Sequence, residues 1–345
     1  MLCVNMVKSM NIVFVFEKEV KTHCNRVTVN IRGDIHRQRS LLWRGFARLY
    51  HDVYDGFDMA DAAVMRHVDQ CSPSVLMRTF MHADLVSRRG GEGHDIGCTN
   101  LKTIRNSIVI AHKNIINRKR LLRQFKRNGN ILLVDIIDGG PKPGRTEFYD
   151  GIICCSQKAY EYYAQECPQV PVYFVAHCTD PRIGQVSPPT DRFAPYYFGA
   201  PKNLLLFDAI RDTLGIVYTD TRDVPNHDWY RRLNDANFHY AVRPQMGERV
   251  FKPFMKGIIA ATCGVNMLVH KDDGDALHFL GEDYPYLIHE DISEDVVLRY
   301  MRKARDTFGK EEWTCGLERI LSLRSVFSPD AIARQFWDMI DRCTR

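Results

Sequence analysis

No stretch of the 345-residue sequence approaches the roughly 20 consecutive apolar residues that a membrane span needs. The N-terminal segment MLCVNMVKSMNIVFVFEKE breaks its apolar character at Lys8 and Glu17 and offers no small-residue cleavage site, so neither an exported nor a membrane-threaded chain is expected. Cys-x-x-Cys pairs and Cys/His clusters of zinc-finger spacing are also missing. The cysteine count, eleven, is odd, which points to reduced thiols and a cytoplasmic setting rather than a disulfide framework, and no metal is expected. A Walker-type Gly-Lys-Ser/Thr loop is absent, which argues against a P-loop kinase. The net charge of +5 comes from basic and acidic residues in nearly equal number, with no basic stripe interleaved by aromatics, so nucleic acid is not an expected partner. Neither a solenoid repeat nor a low-complexity segment is present.

What is present is ordinary globular composition, 45% hydrophobic and 26% charged, on a chain long enough for two domains. Short apolar runs alternate with longer amphipathic ones, the pattern of parallel strands linked by helices. In the first half, Asn11 to Phe16, Ser107 to Ala111, Ile131 to Ile137, Gly151 to Cys155 and Val172 to Ala176 read as strands. Helices are expected at about Arg37 to Val53, Lys113 to Lys126 and Gln157 to Glu166. The proline-bearing stretch Gln185 to Pro195 reads as a linker. A second alternation follows, with strands at Tyr196 to Phe198, Ile216 to Tyr218, Phe238 to Val242 and Asn266 to Val269. Its helices are expected near Leu204 to Leu214, Asp228 to Asp235, Pro253 to Cys263, Ser293 to Asp306 and Ser328 to Arg342, the last two with serine N-caps. The expected fold class is α/β, with two Rossmann-like domains, 1–188 and 189–345, facing a central cleft and the final helix crossing back to the first.

The stretch from Phe238 to Gly264 holds the strongest chemical signal. A strand ending at Arg243 delivers a guanidinium to the carboxyl edge of a parallel sheet, where open α/β folds bind ligands. Pro253 suits a first helical position, which would put Lys252 and Lys256 on one face near a helix N-terminus. Arg243, Lys252 and Lys256 together would hold a diphosphate, the arginine as a planar fork and the lysines as point charges. The plainer reading is a solvated pair of lysines and an Arg243 paired with Glu248 or a nearby aspartate. Beyond the next strand, Asp272, Asp273 and Asp275 would bind sugar hydroxyls or a cation, or else form an acidic turn with Asp275 as a helix cap.

The runs Ala260-Ala-Thr-Cys-Gly264-Val-Asn-Met-Leu-Val269, Val170 to Asp180, Tyr196-Tyr-Phe-Gly199-Ala-Pro-Lys202-Asn203 and Phe327 to Trp337 resemble the GT-B fold glycosyltransferases of the group 1 type. The resemblance covers about residues 150 to 340. It implies a nucleotide-diphosphate sugar donor and a carbohydrate or lipid-linked acceptor, with no further cofactor. It adds Gly199, Lys202 and Asn203 to Arg243, Lys252, Lys256 and Asp275 on the donor side, with the first domain on the acceptor side. The sequence departs from that family at the two glutamates along the donor helix, which fall here at Phe251 and Ile259. Asp34 and Asp138 are candidates for a general base, each with a cap or turn role as the alternative. The cationic segment 113–126 would lie against anionic lipid, or pack its apolar side on the sheet. A sugar-nucleotide epimerase and a non-catalytic nucleotide-sugar or carbohydrate-binding protein are the rival readings.

Overall fold

Strands buried on both faces of a parallel sheet appear as near-continuous apolar runs, and Ser107–His112 is such a run with every residue buried. A computed structural model describes residues 10–15, 28–30, 73–90, 94, 96–99, 104–140, 146–180, 183–219, 228–244 and 251–345. The chain forms two units. The first comprises Met1–Cys154, Tyr160–Val175 and Ala333–Arg345, and the second Cys155–Ala159 and Ala176–Ile332.

The first unit carries β1 (Asn11–Val15), β2 (Thr28–Asn30), β3 (Ile96–Thr99), β4 (Ser107–His112), β5 (Ile131–Asp135), β6 (Gly151–Cys154) and β7 (Val172–Phe174). They lie in the order β2-β3-β1-β4-β5-β6-β7, and every pairing except β2 with β3 is parallel. Because β3 and β4 flank β1 on opposite sides, the sheet's topological switch lies between β1 and β4. Strand β5 stops at Asp135, short of the expected Ile137, because Ile137 adopts φ 57°, a left-handed backbone that a β-branched residue rarely takes and that no strand accommodates.

Among its helices are α1 (His82–Arg88), α2 (Lys119–Arg127) and α3 (Gln157–Glu166). The single helix expected from Lys113 to Lys126 is in fact two pieces. The His112 ring accepts from the Asn114 N–H and caps a tight turn at Lys113–Ile115, and Arg118, with φ −87° and ψ 62°, breaks the helical path before α2 begins. Leu121, Leu122 and Phe125 of α2 are buried, so its apolar side is packed inside this unit and its exposed face is wholly polar.

The second unit carries β8 (Pro195–Gly199), β9 (Gly215–Tyr218), β10 (Phe238–Tyr240), β11 (Asn266–His270) and β12 (Leu287–Ile288), all parallel, in the order β12-β11-β10-β8-β9. Here β9 and β10 flank β8, which puts the switch between β8 and β10. Three longer helices follow: α4 (Met255–Cys263), α5 (Glu294–Thr307) and α6 (Glu311–Val326). Ser293 caps α5 as expected, its hydroxyl accepting from the Val296 N–H. Gly264 closes α4 in the left-handed conformation, φ 70°, with its N–H on the Ala260 and Ala261 carbonyls, a geometry that favours glycine. Phe238, Tyr286 and Trp313 interlock beneath the sheet with centroids 5.3 to 5.9 Å apart. The helices expected near Leu204 to Leu214 and Asp228 to Asp235 shrink to Asp208–Arg211 and a 3-10 segment, Trp229–Asp235. The last helix, α7 (Pro329–Cys343), belongs to the first unit from Ala333 onward, where Phe336 stacks on Phe14 at 5.9 Å.

Candidate functional site

Ligands of open α/β sheets settle at the carboxyl ends of the strands, at the topological switch. In the second unit that point is set by Gly199, which ends β8, and by the segment leaving β10 toward Arg243. A Cβ on Gly199 would lie 2.4 Å from the Tyr197 hydroxyl, so glycine is what lets that phenol lie back and donate to the Ala200 carbonyl at 2.7 Å. The loop from Ala200 to Leu205 is tied to the same edge, since Leu205 donates to the Val242 carbonyl and accepts from the Tyr240 hydroxyl.

Arg243 and Lys256 converge here. The guanidinium Nε of Arg243 donates to Asp273 Oδ2 at 2.7 Å, with the two side chains 12% and 7% exposed. Of the two partners foreseen for Arg243, an aspartate is the one found, and Glu248 lies outside the described residues. The Asp273 carboxyl is pushed up by burial, against the pull of Arg243 and Lys256. The Lys256 stem is half-buried, but its Nζ is fully enclosed and has no hydrogen-bond partner. It lies 4.2 Å from the centroid of the Tyr197 ring. Burial, seconded by Arg243, lowers its pKa to about 7. His239, from the middle of β10, is buried and neutral, its pKa lowered to about 3 by burial and then by Lys256, and its Nε2 has no partner. Lys256 Nζ and His239 Nε2 are thus two buried polar nitrogens without hydrogen-bond partners in this unit.

Lys252 does not share a helical face with Lys256. Helix α4 begins at Met255, not Pro253, because Phe254 has ψ 43°, outside the helical range, and its buried ring stacks on Phe279 at 5.6 Å. Lys252 therefore precedes the helix, half-buried. No side chain caps the N-terminus of α4.

Three donor-side candidates remain. Lys202 is exposed and Asn203 half-buried, both on the 3-10 turn Pro201–Asn203. Asp275 is buried with its carboxylate occupied: Oδ1 accepts from the Ser156 hydroxyl at 3.0 Å and the Lys158 N–H at 3.1 Å, and Oδ2 from the Gln157 N–H at 2.7 Å. It therefore serves the fold. Of the base candidates, Asp34 lies outside the described residues, and Asp138, just past β5, forms an ion pair with Lys113.

A further polar cluster, absent from the sequence reading, sits at the carboxyl ends of β4 and β5 in the first unit. Arg78, on a π-helical turn at Leu76–Met81, donates through Nε to Asp135 Oδ2 at 2.8 Å and through a terminal nitrogen to the Val175 carbonyl at 3.1 Å, with His82 Nδ1 at 3.4 Å. His112 and Asp135 are register partners on adjacent strands. Burial lowers His112 to about 4 despite the nearby carboxylate, so its imidazole is neutral. The available signal was a titratable residue closing an apolar strand, at His112 and at Asp135. Among the described residues no group of three or more His, Cys, Asp or Glu is arranged to hold a metal ion, and no helix is long and apolar enough to cross a membrane.

No family model matches the sequence, and no curated protein matches it significantly. Solved structures do match. HepE of Anabaena, crystallised with UDP and glucose, aligns over 96% of this chain and 100% of its own at TM-score 0.54 and 11% identity. The same protein with UDP-glucose gives TM-score 0.52 and 10% identity over the same spans. A glycosyltransferase from Rickettsia africae aligns over 98% of this chain and 99% of its own at TM-score 0.51 and 8% identity. Against the GtfA/B complex and TarM of S. aureus the chain spans only 58% and 55% of their length. The fold is thus GT-B, two units each built on a parallel sheet.

Proposed function

We propose that this chain is a glycosyltransferase that takes a sugar from a nucleoside-diphosphate sugar and passes it to a carbohydrate or lipid-linked acceptor. The observation that carries this reading is the enclosed, unpartnered Lys256 Nζ beside Arg243 at the carboxyl edge of β8 and β10. An anion entering there would supply the hydrogen-bond acceptor that Lys256 lacks. It would also face the uncapped N-terminus of α4, whose backbone dipole favours negative charge. The same cations would stabilise the diphosphate as it leaves, the electrostatic contribution that commonly dominates such transfers. The UDP and UDP-glucose bound by HepE, on the same fold, agree with a diphosphate donor. The first unit is assigned the acceptor.

A second reading, a nucleotide-sugar binder without turnover, is supported by Phe251 and Ile259 standing where the resembled family has glutamates. Calorimetry and turnover assays with UDP-, GDP-, ADP- and CDP-sugars, on wild type and Lys256→Met, separate the possibilities. Binding by one nucleotide sugar, weakened at least tenfold in Lys256→Met (about 1.4 kcal/mol), is expected. No binding of any of them at millimolar concentration rejects the proposal. Binding with neither transfer to glycan acceptors nor slow hydrolysis selects the second reading.

A further inference from the structure

Lys256 is the only lysine among the described residues whose Nζ is both buried and without a hydrogen-bond partner. The titratable and charged groups around it come from several elements: Tyr197 on β8, His239 on β10, Arg243 beyond β10 and Asp273 beyond β11. Their charges cancel. Arg243 and Asp273 neutralise each other across 2.7 Å, His239 is uncharged, and burial keeps the Tyr197 phenol protonated. An ammonium here has only the face of one phenol ring, 4.2 Å away, to recommend it. Against that stands the desolvation cost of an unpaired buried charge, which outweighs a single ring face and favours the neutral amine. Burial and Arg243 together put the empty-site pKa at about 7.

Resting on the nucleotide-sugar reading of this same site, we propose that Lys256 selects ligands by charge: above neutral pH it takes up one proton as a diphosphate enters, so the site is neutral when empty and cationic only when filled. A neutral sugar cannot draw that proton in, whereas two phosphates carrying negative charge can. The bound anion raises the Lys256 pKa above its empty-site value. Below pH 7 the lysine is already charged and affinity is flat with pH. Above pH 7 each binding event must draw a proton from solvent, and Kd rises about tenfold per pH unit until the bound-state pKa is reached.

UDP-glucose is a suitable probe because its diphosphate is esterified at both ends and has no proton to gain near neutrality. Calorimetry at pH 8 in buffers of different ionisation heat should show close to one proton taken up per UDP-glucose bound, with Kd rising about tenfold between pH 7.5 and 8.5. Lys256→Arg, charged at every accessible pH, should bind without proton uptake and with flat affinity. Should the longer side chain not fit, Lys256→Met should bind weakly, also without proton uptake. In carbon-13 lysine-labelled protein, the resonance lost in Lys256→Met should titrate near pH 7 in the empty state. It should move to higher pH with sulfate, an anion with no proton of its own to exchange. UDP-glucose binding without proton uptake, or a Lys256 that titrates near the ordinary lysine value when empty, overturns the proposal and leaves the nucleotide-sugar reading intact. A sulfate-driven rise with no nucleotide sugar bound does the reverse.

Discussion

Each sheet carries a buried histidine and a buried cation near the carboxyl end of its strands, and the two cations are treated in opposite ways. In the first unit Arg78 is fully provided for: a carboxylate, a backbone carbonyl and a histidine nitrogen lie within 3.4 Å. In the second, the Asp273 carboxylate is given to Arg243, and Lys256 is left with a ring face. A buried charge that is paired holds a fold in one arrangement, whereas one without a partner raises the energy of the empty state and lowers it only when a ligand arrives. The two clusters contain the same kinds of group, and each leaves polar atoms buried without partners, His112 Nε2 and Asp135 Oδ1 in the first and His239 Nε2 and Lys256 Nζ in the second; what differs is whether the cation itself is paired.

Breaking the first cluster should have the largest effect. Asp135→Ala leaves Arg78, 2% exposed, as an uncompensated charge, and a loss of about 3–5 kcal/mol in urea unfolding is expected. Replacing both partners by apolar residues, Arg78→Met with Asp135→Leu, should recover most of that loss. If Asp135→Ala costs less than about 1 kcal/mol, Arg78 is not dependent on the pair and the contrast fails.

The same logic predicts a change of opposite sign in the second unit. Lys256→Met removes a buried lysine amine without a partner, so the protein free of nucleotide should become more stable, by about 1–4 kcal/mol at pH 7. The sign of the pH dependence follows from a folded pKa near 7, below the unfolded lysine's value: between those two values the unfolded chain holds the extra proton, so wild-type stability rises with pH there. The advantage of Lys256→Met should accordingly be greatest at and below pH 7 and smaller at pH 9.5. A destabilised Lys256→Met, compared by urea unfolding at the two pH values, would mean that the lysine supports the fold.

The alternation of strands and helices was legible because parallel strands buried on two faces leave uninterrupted apolar runs, and the α/β class followed. Arg243 and Lys256 were legible, together with Lys252, because the first follows an apolar strand and the other two flank the start of a helix. Lys252 was misplaced because the start of α4 depends on where the Phe254 ring packs, and Phe279 lies beyond any local pattern. Helix α6 was missed although Trp313, Gly316, Ile320 and Leu323 share its buried face: its remaining surface is mixed, and Gly316 reads as a break. Arg78 and Asp135, 57 positions apart, meet through tertiary structure alone, as do Lys256 and Tyr197.

The smallest expected effect concerns Asp138, and it decides whether the first unit offers a base at its surface. Its carboxylate is paired with Lys113, and both side chains are part-exposed, at 23% and 28%. An ion pair so placed is screened, so Asp138→Asn should alter urea stability by less than about 1 kcal/mol. General-base catalysis contributes on the order of a hundredfold or more, which makes the kinetic outcome separable from the structural one. A carboxylate already held by an ammonium is a poor proton acceptor, because the neighbouring charge favours its ionised form. If the chain turns over a nucleotide sugar, as proposed, turnover by Asp138→Asn is therefore expected to stay within about threefold of wild type, well short of what general-base loss would cause. A hundredfold fall with unchanged affinity for that nucleotide sugar would instead make Asp138 the acceptor's base, and the first unit would then carry a reactive carboxylate outside its buried ion pair.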